Sequence, residues 1–235
     1  MRSPADAVET DARGRRTPRR AAPQEPDRET RTRLLEVART LFAARGFRQV
    51  TVRDICAAAG ANVAAVNYHF GDKQGLYRDV LDEAIAIMRQ TSQEAEHAGE
   101  NGSAEDRLRA YIRVFLHRAR GGSAPWIHPL MTHELAEPTD ALDAVIAQVI
   151  EPRTRYLQRV VAEMLGVTVE DPRVLRCVMS VQAQFQTAMT NPVLTRLVPG
   201  FLGDAPSLER LAQHIADFSV GGIRALAAAD VPLKR

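Results

Sequence analysis

Between Thr51 and Asp72 the chain carries start and stop signals for three helices in quick succession, and this spacing constrains the fold more than any other feature. Thr51 is an N-cap type with Asp54 three residues on, the pattern of a capping box, and Val50 and Ile55 are placed to staple the same end. The helix they open runs through Cys56-Ala57-Ala58-Ala59 and stops at Gly60. Only Gly60 and Ala61 precede Asn62, a second good N-cap, and a third helix follows from Val63 to His69. Asp72 then caps a long fourth helix with Leu76, Val80, Ile85 and Met88 on one face. Two short helices joined by a tight turn containing Gly describe a helix-turn-helix, and the small Ala57, Ala58 and Ala59 would let them approach closely. Other helical hairpins share this pattern.

The rest of the chain reads as helix. Leu34, Leu35, Val37, Ala38, Leu41 and Phe42 form a stripe upstream, with Gly46 where that helix would stop. Downstream, breaks at 99–103, 121–125, 166–171 and 199–206 separate helices expected near 104–119, 139–165, 171–190 and 207–228. No alternating strand and no internal repeat is visible. The expected class is all-α: an N-terminal three-helix unit with the helix-turn-helix over 27–75 and a C-terminal helical bundle over 76–235. Residues 1–26, rich in Arg and Pro, have too little apolar side chain to order themselves. Their basic run from Arg13 to Arg20 is either a solvated tail or an arm that touches DNA.

Charge sharpens this division. The formal net charge is only +2, yet residues 1–78 hold 15 basic and 9 acidic side chains, while 79–235 hold 16 basic and 20 acidic. A basic segment beside an acidic one suits a DNA- or membrane-facing part joined to a neutral remainder. No apolar run approaches the ~20 residues of a membrane helix, and no apolar stretch follows the charged start as in a secretory signal. Cys56 and Cys177 offer neither a disulfide framework nor zinc spacing, and a reducing cytoplasm is the expected compartment.

The stretch TRTRLLEVARTLFAARGFRQVTVRDICAAAGANVAAVNYHFGDKQGLYRDVL resembles the TetR/AcrR family of transcriptional regulators. The matching points are Phe42, Gly46 and Phe47, then Thr51, Ala59-Gly60, Tyr68-His69-Phe70, Lys73 and Gly75-Leu76-Tyr77. NVAAVNYHFGDKQGLY, with HPLMTHELAEPTDALD further on, resembles the branch whose effector domain is called CerR-like or CecR-like. The resemblance implies a homodimeric repressor, released from a palindromic operator by a small molecule through movement of the fourth helix, residues 72–97. It also implies that 27–75 is a DNA-binding domain, that the bundle over 76–235 serves ligand binding and dimerisation, and that the dimer interface is built of four helices.

A recognition helix reads base edges in the major groove while its neighbours hold phosphate. The candidate contacts are Asn62, Ala65, Asn67, Tyr68 and His69, with Thr51 and Arg53 on one phosphate wall and Lys73 on the other. Thr51 and Asn62 also serve as caps. One of Tyr68 and His69 could pack inward, and Tyr68 is the one expected outward. The family usually has an aromatic where Asn67 stands. Odd polar and aromatic groups in the apolar helices are pocket candidates: Phe115, Trp126, His128, Met131, His133 and Glu134, and Gln182, Gln184, Phe185 and Met189. Val174, Val178, Val181 and Phe185 with Leu211, Ile215, Phe218 and Gly222 are the interface candidates, and the same residues could equally form intrachain core.

The rival readings are a helical adaptor that does not read DNA and a metal-dependent hydrolase. For the latter, His128 and His133 lie about 140° apart around a helix and share no face. No H-E-x-x-H, G-x-S-x-G or phosphate-cradling loop occurs. The expected partners are an operator duplex, a small-molecule effector and a second copy of the chain. No enzyme activity, cofactor, metal or membrane is expected.

Overall fold

The computed structural model describes residues 25–121, 124–190, 192–198 and 204–229, and these are helical with no strand among them. The Arg13 to Arg20 run lies outside the described residues.

Local signals build the N-terminal part. Helix α1 (Glu25–Gln49) leaves α geometry at Gly46, whose φ of 75° is a left-handed value that an L side chain resists. Then come α2 (Val52–Ala59), α3 (Val63–Phe70) and α4 (Lys73–Ala98). Thr51 Oγ1 accepts from Asp54 N at 3.1 Å, and Asp54 Oδ2 accepts from Thr51 N at 2.9 Å, closing the capping box. Asn62 Oδ1 accepts from Ala65 N and Asp72 Oδ1 from Gly75 N, each at 2.8 Å. Of the three alanines in α2 only Ala59 is buried. The tightest approach comes between α3 and α4, where a Cβ on Gly75 would stand 1.9 Å from the Phe70 carbonyl oxygen.

Leu34, Phe42, Val50, Ile55, Val66, Leu76, Tyr77 and Val80 make one core. Tyr77 meets Phe42 edge-on at 4.9 Å and Phe47 at 4.8 Å between ring centres. This core runs along α4 to Ile85 and takes in Leu130, Val145 and Val149. It therefore crosses the expected boundary at 75–76, because α4 belongs to both halves.

The second half holds α5 (Ala104–Gly121), α6 (Ile127–Ala136), α7 (Leu142–Val145), a π-helical turn (Ile146–Ile150), α8 (Glu151–Leu165), α9 (Pro172–Thr190), α10 (Pro192–Leu197) and α11 (Ala205–Ala228). The sequence expectation of one helix over 139–165 misses the π turn. Its cause is Pro152, which has no N–H and whose ring would strike the carbonyl four residues back. The turn widens instead, and Glu151 N donates to Ile146 O. The short α10, opened by Pro192, was also unforeseen.

Leu108, Tyr111, Ile112, Leu157, Val160, Val161, Val174, Val178, Val181, Phe185 and Ile215 form the second core. This corrects the interface expectation. Val174, Val178, Val181, Phe185 and Ile215 are buried within their own chain, and Leu211 packs partly against them. Helices α9 and α11 use that stripe to pack on α5 and α8, leaving a different face outward. Cys56 and Cys177 are buried free thiols, pushed up in pKa by burial.

Gly75→Ala should destabilise the fold by about 2 kcal/mol or more, since a backbone carbonyl cannot yield as a flexible side chain does. Urea unfolding checks this, and an unchanged midpoint would refute the close approach.

Candidate functional site

Val66 is the inward residue of α3, buried in the first core. The periodicity of a helix then puts Ala64 and Tyr68, four apart, on the opposite side. Val63, Ala64, Asn67 and Tyr68 are exposed, Tyr68 at 73%, and Asn62 is exposed beside them. Ala65 lies instead against the core. Ala64 and Val63 are thus exposed residues that the sequence reading missed; the spacing of Ala64 from Val66 could have placed it, whereas Val63 is open because it stands at the first position of α3.

His69 is turned away from this face. Its side chain is 8% exposed, and its Nε2 lies 3.3 Å from Asp27 Oδ1 on α1. Its ring stands edge-on to Tyr68 at 5.0 Å. The physical reason is its position three residues beyond Val66, which carries it round toward α1.

Thr51 and Arg53 are exposed at the start of α2, and Lys73 is half-buried at the start of α4. Lys73 Nζ sits 4.2 Å from the Phe47 ring centre, and its pKa is lowered by burial. Neither Arg53 nor Lys73 has an acid partner among the described residues. Four arginines of α1 differ. Arg31 pairs with Asp79 and lies over Phe70, Arg33 donates to Ala59 O at 2.7 Å, Arg39 pairs with Glu83, and Arg48 with Glu137.

A cavity of about 360 Å³ opens between α4, α5, α6, the π turn, α8 and α9. Phe115, His128, Met131, Glu134, Gln182 and Phe185 line it. Burial lowers the pKa of His128. Glu134 is 1% exposed and fully engaged: Tyr77 OH donates to Oε2 at 2.6 Å, while Thr139 N and Oγ1 donate to Oε1 at 2.9 and 2.8 Å.

Three pocket expectations fall elsewhere. Trp126 packs against the first core with Arg39 5.5 Å above its ring, because it stands at the α1-facing end of α6. His133 faces Gly46, where an added Cβ would lie 3.1 Å from its Nδ1. Gln184 donates to Ser219 Oγ at 3.0 Å, tying α9 to α11. The side chain of Met189 lies outside the described residues.

Residues 34–80 match the family described as bacterial regulatory proteins, tetR family. Residues 104–223, just over half the chain, match the C-terminal domain of the HTH-type transcriptional dual regulator CecR.

The chain belongs to the TetR family of DNA-binding transcriptional regulators.

Among its family relatives, CecR of Shigella flexneri is 30% identical over 156 residues, covering 63% of this chain and 70% of CecR. The repressor KstR2 of Rhodococcus jostii is 47% identical over 51 residues, covering 22% of this chain and 25% of KstR2. The TetR-family fold also relates the chain to solved structures. SCO4454 from Streptomyces coelicolor has a TM-score of 0.59 at 20% identity, covering 84% of this chain and 95% of its own. AibR in complex with isovaleryl coenzyme A and operator DNA has a TM-score of 0.61 at 17% identity, covering 80% and 97%. No helix among the described residues is long and apolar enough to cross a membrane.

In this regulator Tyr68→Ala should weaken operator binding about tenfold or more at an unchanged thermal midpoint. His69→Ala should lower stability by about 1 kcal/mol. Gel shifts and thermal melts on both variants distinguish the two roles, and the reverse pattern would exchange them.

Proposed function

We propose that the protein is a homodimeric repressor that binds a palindromic operator and releases it when a small molecule fills the cavity. The observation that carries this reading is the exposed row Val63, Ala64, Asn67 and Tyr68 on α3, flanked by the unpaired cations Arg53 and Lys73. A helix of this width enters the major groove, and the flanking cations suit phosphate. The exposed Thr51, and Asn62 beside α3, are placed to add polar contacts at the two helix starts.

The dimer contact is drawn from the outward face of α9 and α11. Phe218 at 68% exposure, Gly222 and Leu226 recur every four residues on α11, and Leu175 and Met179 do so on α9, with Met179 at 61%. A row of large apolar side chains facing water on two packed helices suits burial against a second copy. No Cβ on Gly221 or Gly222 would meet anything within 4 Å in this subunit, which leaves room for a partner helix.

Release follows from the wall shared by cavity and reader. Glu134 lines the cavity and holds Tyr77 of α4, so a ligand that displaces α6 acts directly on α4. It shifts the equilibrium only as far as it binds the released arrangement better. Such a regulator acts in the cytoplasm, where its DNA lies.

A gel shift on DNA from the promoter beside its own gene tests the reading, and the absence of a salt-sensitive, sequence-selective complex would sink it. Phe218→Asp should turn the dimer into a folded monomer by light scattering and cost most of the operator affinity. An unchanged mass would refute the proposed contact.

A further inference from the structure

One cation of the cavity has no acid partner among the described residues. This is Arg153, which enters the cavity from the first turn of α8, immediately after the π turn. Its guanidinium lies 5.2 Å from the Phe115 ring centre, and its Nε is buried with no hydrogen-bond partner. Arg153 is half-buried, and a guanidinium N–H shut away from water without an acceptor is costly.

The other charges of the cavity are already answered. Arg118 donates to Glu94 through Nε at 2.8 Å and through Nη2 at 2.6 Å. Glu134 takes three donors from Tyr77 and Thr139. A cationic ligand would compete with these donors for Glu134, whereas an anion would supply what Arg153 lacks. Gln182 and His128 offer further polar donors on the same lining. The remaining wall is apolar: Ile87, Met88, Ile127, Met131, Val149 and Phe185 among others.

We infer that the effector is an amphipathic anion, an apolar body ending in a carboxylate, with the carboxylate held by Arg153 and the body lying against the Met88, Met131 and Val149 wall. This rests on the reading of the cavity as the effector site. Planar guanidinium and carboxylate match as a two-bond fork, and stacking on Phe115 holds the fork in place. The volume, about 360 Å³, lies at the small end of ligand cavities and suits a compact molecule. The π turn serves the same end, because it sets the rotation at which α8 begins and so aims Arg153 inward.

The test uses the full chain and straight-chain monocarboxylates from hexanoate to dodecanoate, below micelle-forming concentrations, each beside the amide and the amine of the same length. Calorimetry and thermal shift should show binding for at least one acid and much weaker binding for its amide and amine. Arg153→Met should weaken that acid by about 10- to 100-fold, while Arg153→Lys keeps part of the affinity. Arg153→Gln, neutral but polar, takes the place of Arg153→Met if the latter unfolds. An amine or amide that binds as tightly as every acid, or a folded neutral variant with undiminished acid affinity, overturns the assignment. The operator gel shift is run separately on the same samples. Acid binding that depends on Arg153 supports the effector class even where that shift is absent, so the two readings fail independently.

Discussion

The hydrogen bond from Tyr77 to Glu134 is the contact on which the two halves of the molecule depend. A carboxylate this deeply buried is tolerable only when its lone pairs are met, and the donors come from two directions. Thr139 satisfies it from the loop after α6, and Tyr77 satisfies it from α4. Burial, then the bond to Glu134, pushes the Tyr77 phenol upward in pKa, so the hydroxyl remains a donor throughout the physiological range. From Tyr77 the contacts continue through Phe47 to Lys73 at the start of α4. The cavity wall and Lys73 are therefore joined by touching side chains.

The positive charge of the N-terminal segment is not a map of its DNA contacts. Much of it belongs to α1, where arginines tie α1 to α2, α4 and α6 and stack on Phe70 and Trp126. These pairs hold the reader together. Arg53 and Lys73 stand outside these pairs, and the operator contact proposed for them leans on the fit of α3 and on a second subunit as well as on charge.

The helix starts around α2 to α4 were legible because each rests on a cap within a few residues of the chain. Thr51 with Asp54, Asn62 and Asp72 act locally, and no distant packing can mask them. The orientation of side chains was legible only where one anchor was certain. With Val66 inward, Tyr68 and Ala64 follow, yet the sequence reading chose Ala65. The valines of α9 were misread for a different reason. An apolar stripe states that a face is covered and is silent on whether its own chain or a second copy covers it. Arg153 was invisible because an arginine in a polar stretch of helix looks like any solvated residue. Only the three-dimensional neighbourhood reveals that it lacks an acceptor.

The π turn at Ile146–Ile150 solves a problem of phase. Val145 and Val149 pack into the first core, whereas Tyr156, Leu157, Val160 and Val161 pack into the second. On an unbroken α-helix, at about 100° per residue, the centres of these two sets would lie about 70° apart around the axis. The extra residue taken up by the wider turn sets the later group back by about 100° and so brings the two within about 30° of each other. The wider turn is thus a hinge pin of fixed angle, through which one rod braces two separate hydrophobic bodies. Removing one of its exposed residues, Ala147 or Gln148, would close it to an ordinary α turn and leave both cores in place, so the turn is the room that one surplus residue needs.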